Sequence, residues 1–204
     1  MSVFDTLTDE LNWRESELGA LKVLLKSTRT TKIQREVLLR ASWAMLYAHY
    51  EGFSKFSLAL FYDEASKRLS DCALLPPRTK AFALDKHIKK FRNLSPIEIL
   101  DEIANFQNFE QSTKPSFPEV DTKSNLWPNV MEDLLLDANI VVEVVGTHTS
   151  KLKTLVNRRN DIAHGKQNLI DEVDYYLTYE NAVYDIMYHL SYAIEKRLNE
   201  APYI

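Results

Sequence analysis

At 204 residues the chain is long enough for one domain with a substantial core, and 45% apolar beside 26% charged residues places it among folded globular proteins. Only 4 glycines and 7 prolines, against many Leu, Ala, Lys and Glu, favour an all-α fold over a turn-rich β architecture. The net charge of −4 argues against general coating of DNA, and the single cysteine, Cys72, excludes an internal disulfide and a cysteine-cluster zinc site.

The start, "MSVFDTLTDEL", is acidic where a signal peptide is basic, and no run approaches the ~18 consecutive apolar residues of a membrane span. A cytoplasmic protein with no membrane contact is expected, and one cysteine suits a reducing compartment.

Helical periodicity begins at residues 5 to 27 through Leu7, Leu11, Leu18, Leu21 and Leu25, with Asp9 and Glu10 early and Lys22 and Lys26 late, as the helix dipole prefers. After the polar break "STRTT", a long pattern runs from Lys32 to about Leu69. Its Ala41, Ala44, Ala48 and Gly52 form a narrow stripe of small side chains, expected to pack against the late helix described below. Pro76–Pro77 ends this region. A basic helix is expected over 78 to 92, with six Lys/Arg against Asp85 alone. Ser95 and Pro96 then form a helix start, and 107 to 124, polar with two prolines, reads as a surface loop. Asn125 to Ile140 is apolar at helical spacing. "VVEVVG" after it fits either a short strand or a helix end at Gly146. A helix over about 147 to 164, capped by Thr147 or Thr149, should stop at Gly165, and a last one spans about 178 to 200. No internal repeat appears, and the whole reads as a single domain.

The stretch "RRNDIAHGK", 158 to 166, carries the chemistry. On a helical wheel Leu155, Val156, Arg159, Ile162 and Ala163 fall within about 80° of Leu152, so Arg159 is half-buried on an apolar face. An unpaired guanidinium there costs several kcal/mol, so it should meet a carboxylate such as Glu51, a phosphate, or solvent in a cleft. A second stripe, Lys153, Asn157, Asn160, Asp161 and His164, is wholly polar, and Asn160 and His164 lie one turn apart. A fixed cation, an amide and a group that moves protons near neutral pH compose a phosphate site. The plainer alternative is a core arginine paired with Glu51 and a histidine that only caps a helix. Arg159 and His164 point about 140° apart on an ideal wheel, so the helix ends irregularly or a second copy completes the cleft.

Arg159-Asn160-Asp161-Ile162-Ala163-His164 resembles the signature of the HEPN superfamily of small helical domains: an arginine, a polar residue directly after it, and a histidine a few residues on. The stretch "ASWAMLYAHYEGFSKF" (41 to 56) is similar to the long helix of MAE-type HEPN-like nucleases, and "SNLWPNVMEDLLL" extends the likeness. Arg158 gives a second admissible spacing, but Arg159 is preferred because Asn160 then fills the polar position.

The resemblance implies an all-α HEPN-like helical bundle with additional helices. It also implies a metal-independent endoribonuclease, without cofactors, acting as a homodimer whose motifs face each other. His164 is then the acid/base for attack of the RNA 2′-hydroxyl on the adjacent phosphate, Arg159 holds that phosphate and Asn160 orients it. Arg158 and Asp161 assist. Glu51 orients Arg159 or takes part in catalysis, and Tyr47, one turn before it, hydrogen-bonds there. Lys86, Lys89 and Lys90 from the basic helix, with Lys153 and Lys166, are the expected RNA contacts. Such an enzyme fits a toxin or antiviral defence effector restrained by an antitoxin or defence partner; the alternative is a non-catalytic HEPN module that binds RNA, a nucleotide or a partner protein. His49 reads as a core histidine. Tyr175, Tyr176 and Tyr179 read as packing or interface residues, or as a base-stacking surface.

Overall fold

The computed structural model describes residues 2–167 and 172–204, and among these it contains α-helices, one 3-10 turn and no strand. The long helices start where local chemistry supplies the missing partners for the first amides. Ser2 and Asp5 cap each other at the head of α1 (Val3–Lys26), Thr31 and Gln34 do so for α2 (Lys32–Arg68), and Ser95 and Glu98 for α5 (Pro96–Ser112). The basic stretch forms two short helices, α3 (Pro77–Ala83) and α4 (Asp85–Lys90), and a 3-10 turn at Phe91–Asn93. They are followed, after α5, by α6 (Pro128–Ala138), α7 (Glu143–Thr147), α8 (Thr149–Ala163) and α9 (Val173–Leu198).

The spine is α2. Its 37 residues extend for about 55 Å at the usual helical rise, long enough to pack against α1, α6, α8 and α9. Towards α9 the buried Trp43 meets Tyr176 and Tyr179 edge-on, with ring centroids 5.4 and 4.8 Å away. The tyrosine run of α9 is therefore packing: Tyr176 and Tyr179 are buried, and Tyr175 is hydrogen-bonded to Tyr179 at 2.5 Å. Glu180 of α9 is fully buried and paired with Lys22 of α1.

Several expected boundaries move. Helix α5 continues to Ser112, well into the expected loop, because Phe109 stacks on the His87 ring at 3.9 Å and holds that half of the helix on α4. The irregular segment is 113–127. The basic stretch is broken at Leu84, which is buried with φ −98° and ψ 12° and turns α4 away from α3. "VVEVVG" contributes to the short helix α7 rather than to a strand, and α9 begins at Val173, five residues before the expected start. Thr147 and Thr149 do not cap α8. The Thr149 hydroxyl donates to the Val145 and Gly146 carbonyls of α7.

The small-residue stripe also departs from expectation. Ala41 and Ala48 are exposed, and a Cβ on Gly52 would approach Arg14 of α1, so the stripe does not receive α8. Helix α2 offers α8 aromatic rings instead, as described below. No helix is long and apolar enough to cross a membrane among the described residues.

His49 is buried as expected, on the side of α2 that meets α1, with Trp13 edge-on at 5.3 Å and the Glu17 carboxylate 2.9 Å from Nε2. Burial holds the imidazole below its ordinary value of 6.5, Arg14 adds to this, and Glu17 opposes it. The native state thus takes up the proton less readily than the unfolded chain. The stability this contributes is present above pH 6.5 and is lost as pH falls through the lower native value. Urea unfolding at pH 7.5 and pH 5.5 should therefore show His49→Gln losing less stability on acidification than the parent; an equal loss in both assigns the acid sensitivity elsewhere.

Candidate functional site

Helix α8 is anchored by Leu152, Leu155 and Val156, all buried, which fixes the direction in which its last turn leaves the core. It ends in a Schellman motif: the Gly165 amide donates to Ile162 O at 3.1 Å and the Lys166 amide to Asp161 O at 2.9 Å. Gly165 has φ +72°, the left-handed conformation glycine adopts most readily. The predicted stop is therefore correct. His164 is the cap residue outside the helix and is exposed, as is Ala163, although the wheel places Ala163 inward.

Arg159 is half-buried, as the wheel predicts, but Glu51 is not its counter-ion. Its Nη1 donates to Asn125 Oδ1 and to Asn160 Oδ1, both at 3.1 Å, and the guanidinium lies 5.1 Å from the centroid of the Tyr47 ring. Among the described residues no carboxylate forms an ion pair with it. Two neutral amides and a ring face orient the cation and leave its charge in place.

Glu51 belongs to a neighbouring chain of bonds. Its Oε1 accepts from Thr122 Oγ1 at 2.8 Å, and its charge acts on the Tyr47 hydroxyl. The Tyr47 hydroxyl accepts in turn from the buried Leu126 amide at 2.8 Å. Burial, reinforced by the Glu51 charge, pushes this hydroxyl up to about 12, so it keeps its proton. The segment 113–127 is thus fastened to α2 and α8 at Thr122, Asn125 and Leu126.

Arg158 lies against α9, 6.0 Å from the centroid of Trp43 and beside Tyr179. The adjacent arginines therefore divide between Trp43 and Tyr47, one turn apart on α2. Asp161 is engaged by Lys166 at 2.7 Å, while the Lys166 carbonyl accepts from Arg40 Nη1 at 2.5 Å. Arg40, Gly165 and Gln167 line a groove of about 510 Å³ with Ile33, Glu36 and Val37. The His164 ring makes no hydrogen bond among the described residues.

The expected RNA contacts are not gathered in one place. Lys153 and Lys166 belong to α8 and its end, whose packing partners are α2, α6 and α9; Lys86, Lys89 and Lys90 sit on α4, which packs on α3 and the 3-10 turn. Much of the basic stretch is internally neutralised. Arg78 pairs with Asp133 and Asp137, Lys80 with Glu110, and Lys89 with Asp85. His148 and His189 both approach Asp185, at 2.7 and 3.1 Å, and no group of three His, Cys, Asp or Glu that could hold a metal ion occurs among the described residues.

Sequence reasoning missed two participants. Asn125 binds Arg159 from 34 positions away, and the only local sign was its place just before the Trp127–Pro128 helix start. Arg40, one turn before Ala44, ties α2 to the end of α8 and gave no sign at all.

These features define a helical bundle whose late helix holds a half-buried arginine followed, past its end, by an exposed histidine. Residues 3–203 match the HEPN_MAE_28990-like HEPN family, and the chain belongs to it. No curated protein and no solved structure matches the chain.

Tyr47→Phe removes the acceptor of the buried Leu126 amide. A loss of about 1–3 kcal/mol is expected from the stranded amide alone. Equilibrium urea unfolding measures it; Glu51→Gln, which keeps an acceptor for Thr122, should cost less.

Proposed function

We propose that the chain is a metal-independent endoribonuclease that works as a homodimer. The observation that supports this best is Arg159, a half-buried cation held by Asn125, Asn160 and the Tyr47 ring with no carboxylate among its described partners. Such a group attracts an anion strongly, and its hydrogen-bond geometry suits a phosphate. In this reading Arg159 grips the phosphate of the RNA backbone and stabilises charge that grows on it. Asn160 orients the guanidinium. His164 exchanges protons with the 2′-hydroxyl and the leaving 5′-oxygen, so that the 2′-oxygen forms a bond to phosphorus as the bond to the 5′-oxygen breaks. The products are a 2′,3′-cyclic phosphate and a 5′-hydroxyl. The nucleophile resides in the substrate, and no group outside the chain is required for the proton transfers.

The inward position of Arg159 and the exposure of His164 favour a site in which a second copy brings its own Arg159 and His164 to the same cleft. Asn125, Tyr47 and Glu51 act as positioning residues, and Arg158, Lys153 and Lys166 supply positive charge around the end of α8. A growth-arresting toxin or antiviral defence effector, cytoplasmic and restrained by a partner protein, is the biological role that fits this chemistry. A non-catalytic RNA-binding module is the second reading, favoured by the His164 ring, which nothing in the described chain orients.

Purified protein incubated with total RNA in EDTA should leave fragments with cyclic phosphate ends. Arg159→Ala or His164→Ala should lower the rate by about 100-fold or more. Intact RNA with wild-type protein, or undiminished cleavage by His164→Ala, overturns the enzyme and leaves the binding module.

Mixing the two inactive variants tests the shared site. If Arg159 and His164 act from different chains, exchange to a statistical dimer population restores about one quarter of wild-type activity, since half the dimers carry one intact site of two. A mixture as inactive as its components places both residues in one chain.

A further inference from the structure

The first turns of α2 run beside the end of α8. Ile33, Glu36, Val37 and Arg40 lie within about 100° of one another on a helical wheel, and with Gly165 and Gln167 they line the groove of about 510 Å³ described above. Arg40 holds its two walls together by donating to the Lys166 carbonyl at 2.5 Å. Gly165 follows His164 directly, so the groove adjoins the proposed catalytic residue. Its volume lies in the range of sites that hold small molecules.

The chemistry of the lining selects the occupant. Ile33 and Val37, 73 and 60% exposed, offer an apolar floor. Glu36 and Arg40 stand one turn apart on the same face and do not pair with each other. Among the described residues the ion pair that Glu36 makes is a loose one, 3.9 Å from the exposed Lys32. An apolar floor edged by a carboxylate and a guanidinium complements a nucleobase, which is apolar on its face and polar on its rim. A phosphate at the same place is repelled by Glu36. Guanine is the base that presents two adjacent N–H donors, at N1 and N2, to a carboxylate and two acceptors, O6 and N7, to a guanidinium. Adenine and cytosine each offer a carboxylate a single amino group, and uracil sets a carbonyl on either side of its one N–H.

We propose that this groove is a base-specificity subsite, taking a guanine of single-stranded RNA next to the scissile phosphate. The base lies on Ile33 and Val37, Glu36 accepts from N1–H and N2–H, and Arg40 donates to O6 and N7 with the edge it does not spend on Lys166. The subsite rests on the ribonuclease reading and adds to it the nucleotide that is selected. Glu36 and Arg40 touch the base and not the reacting atoms, so they set which RNA is held.

Ten-residue 2′-fluoro oligonucleotides test it, since they keep the sugar shape of RNA but lack the nucleophile and are bound without being cut. Four labelled versions are uridine tracts that differ in one central base, G, A, C or U. Fluorescence anisotropy with the full-length protein at about 0.15 M salt should show the G version binding about tenfold or more tighter than the others. Glu36→Gln, which exchanges one acceptor for a donor, should abolish that preference while the uridine tract binds as before and the thermal midpoint stays unchanged. Equal affinity for the four versions, binding of none, or a guanine preference that survives Glu36→Gln overturns the subsite. So does a wild-type dimer that Val37→Asp splits into monomers, because a second copy then covers the groove. The two readings fail separately: guanine-selective binding through Glu36 without cleavage of total RNA overturns the ribonuclease, and cleavage of total RNA without base preference overturns the subsite.

Discussion

A guanidinium drawn into the bundle with two neutral amides and a ring face for partners is the constraint around which the second half of the chain is arranged. Removing Arg159 from water costs free energy that a carboxylate would normally offset. Here the offset comes from hydrogen bonds to Asn125 and Asn160 and from the face of Tyr47, each worth a few kcal/mol at most and none of them neutralising. The arrangement holds only if three separate parts of the chain arrive together: α2 with Tyr47, the segment 113–127 with Asn125, and α8 with the arginine. Tyr47 serves twice, lending its ring to Arg159 and its hydroxyl to the Leu126 amide. Glu51, the expected counter-ion, is held instead by Thr122, and the cation retains its field.

The same logic explains why α2 shows aromatic rather than small residues to α8. Close approach of two helices over an alanine stripe would leave no room for two consecutive arginines at the end of α8. Trp43 and Tyr47 hold the helices apart and give each arginine a face, Arg158 on Trp43 and Arg159 on Tyr47. The alanines were legible as a stripe because the wheel needs only the sequence. Which neighbour they face was not, because a helix of 37 residues meets four others and periodicity does not say which side meets which.

What was legible in the chain follows the range of the interaction responsible. Ser2, Thr31 and Ser95 cap helices through residues three positions on, and Gly165 closes α8 through its own last turn, so these boundaries could be read directly. The family signature is local too, spanning Arg159 to His164. The extension of α5 to Ser112 depends on Phe109 finding His87, and the capture of Arg159 depends on Asn125. Neither partner lies within a helical turn of the residue it serves, and no propensity records it.

The angle between Arg159 and His164 depends on where the helix ends. A wheel gives directions only for residues that are helical, and α8 stops at Ala163. His164 therefore owes its position to the turn that Gly165 makes. Asn160 bridges the two faces of the wheel: it stands on the polar stripe yet spends its side-chain oxygen on Arg159 of the apolar one. The described residues thus offer an inward guanidinium, already oriented, and an outward imidazole that none of them orients. A phosphate that is to touch both groups needs a surface that closes over the end of α8. In the proposed reading a second copy supplies that surface and with it the partner that fixes the ring of His164.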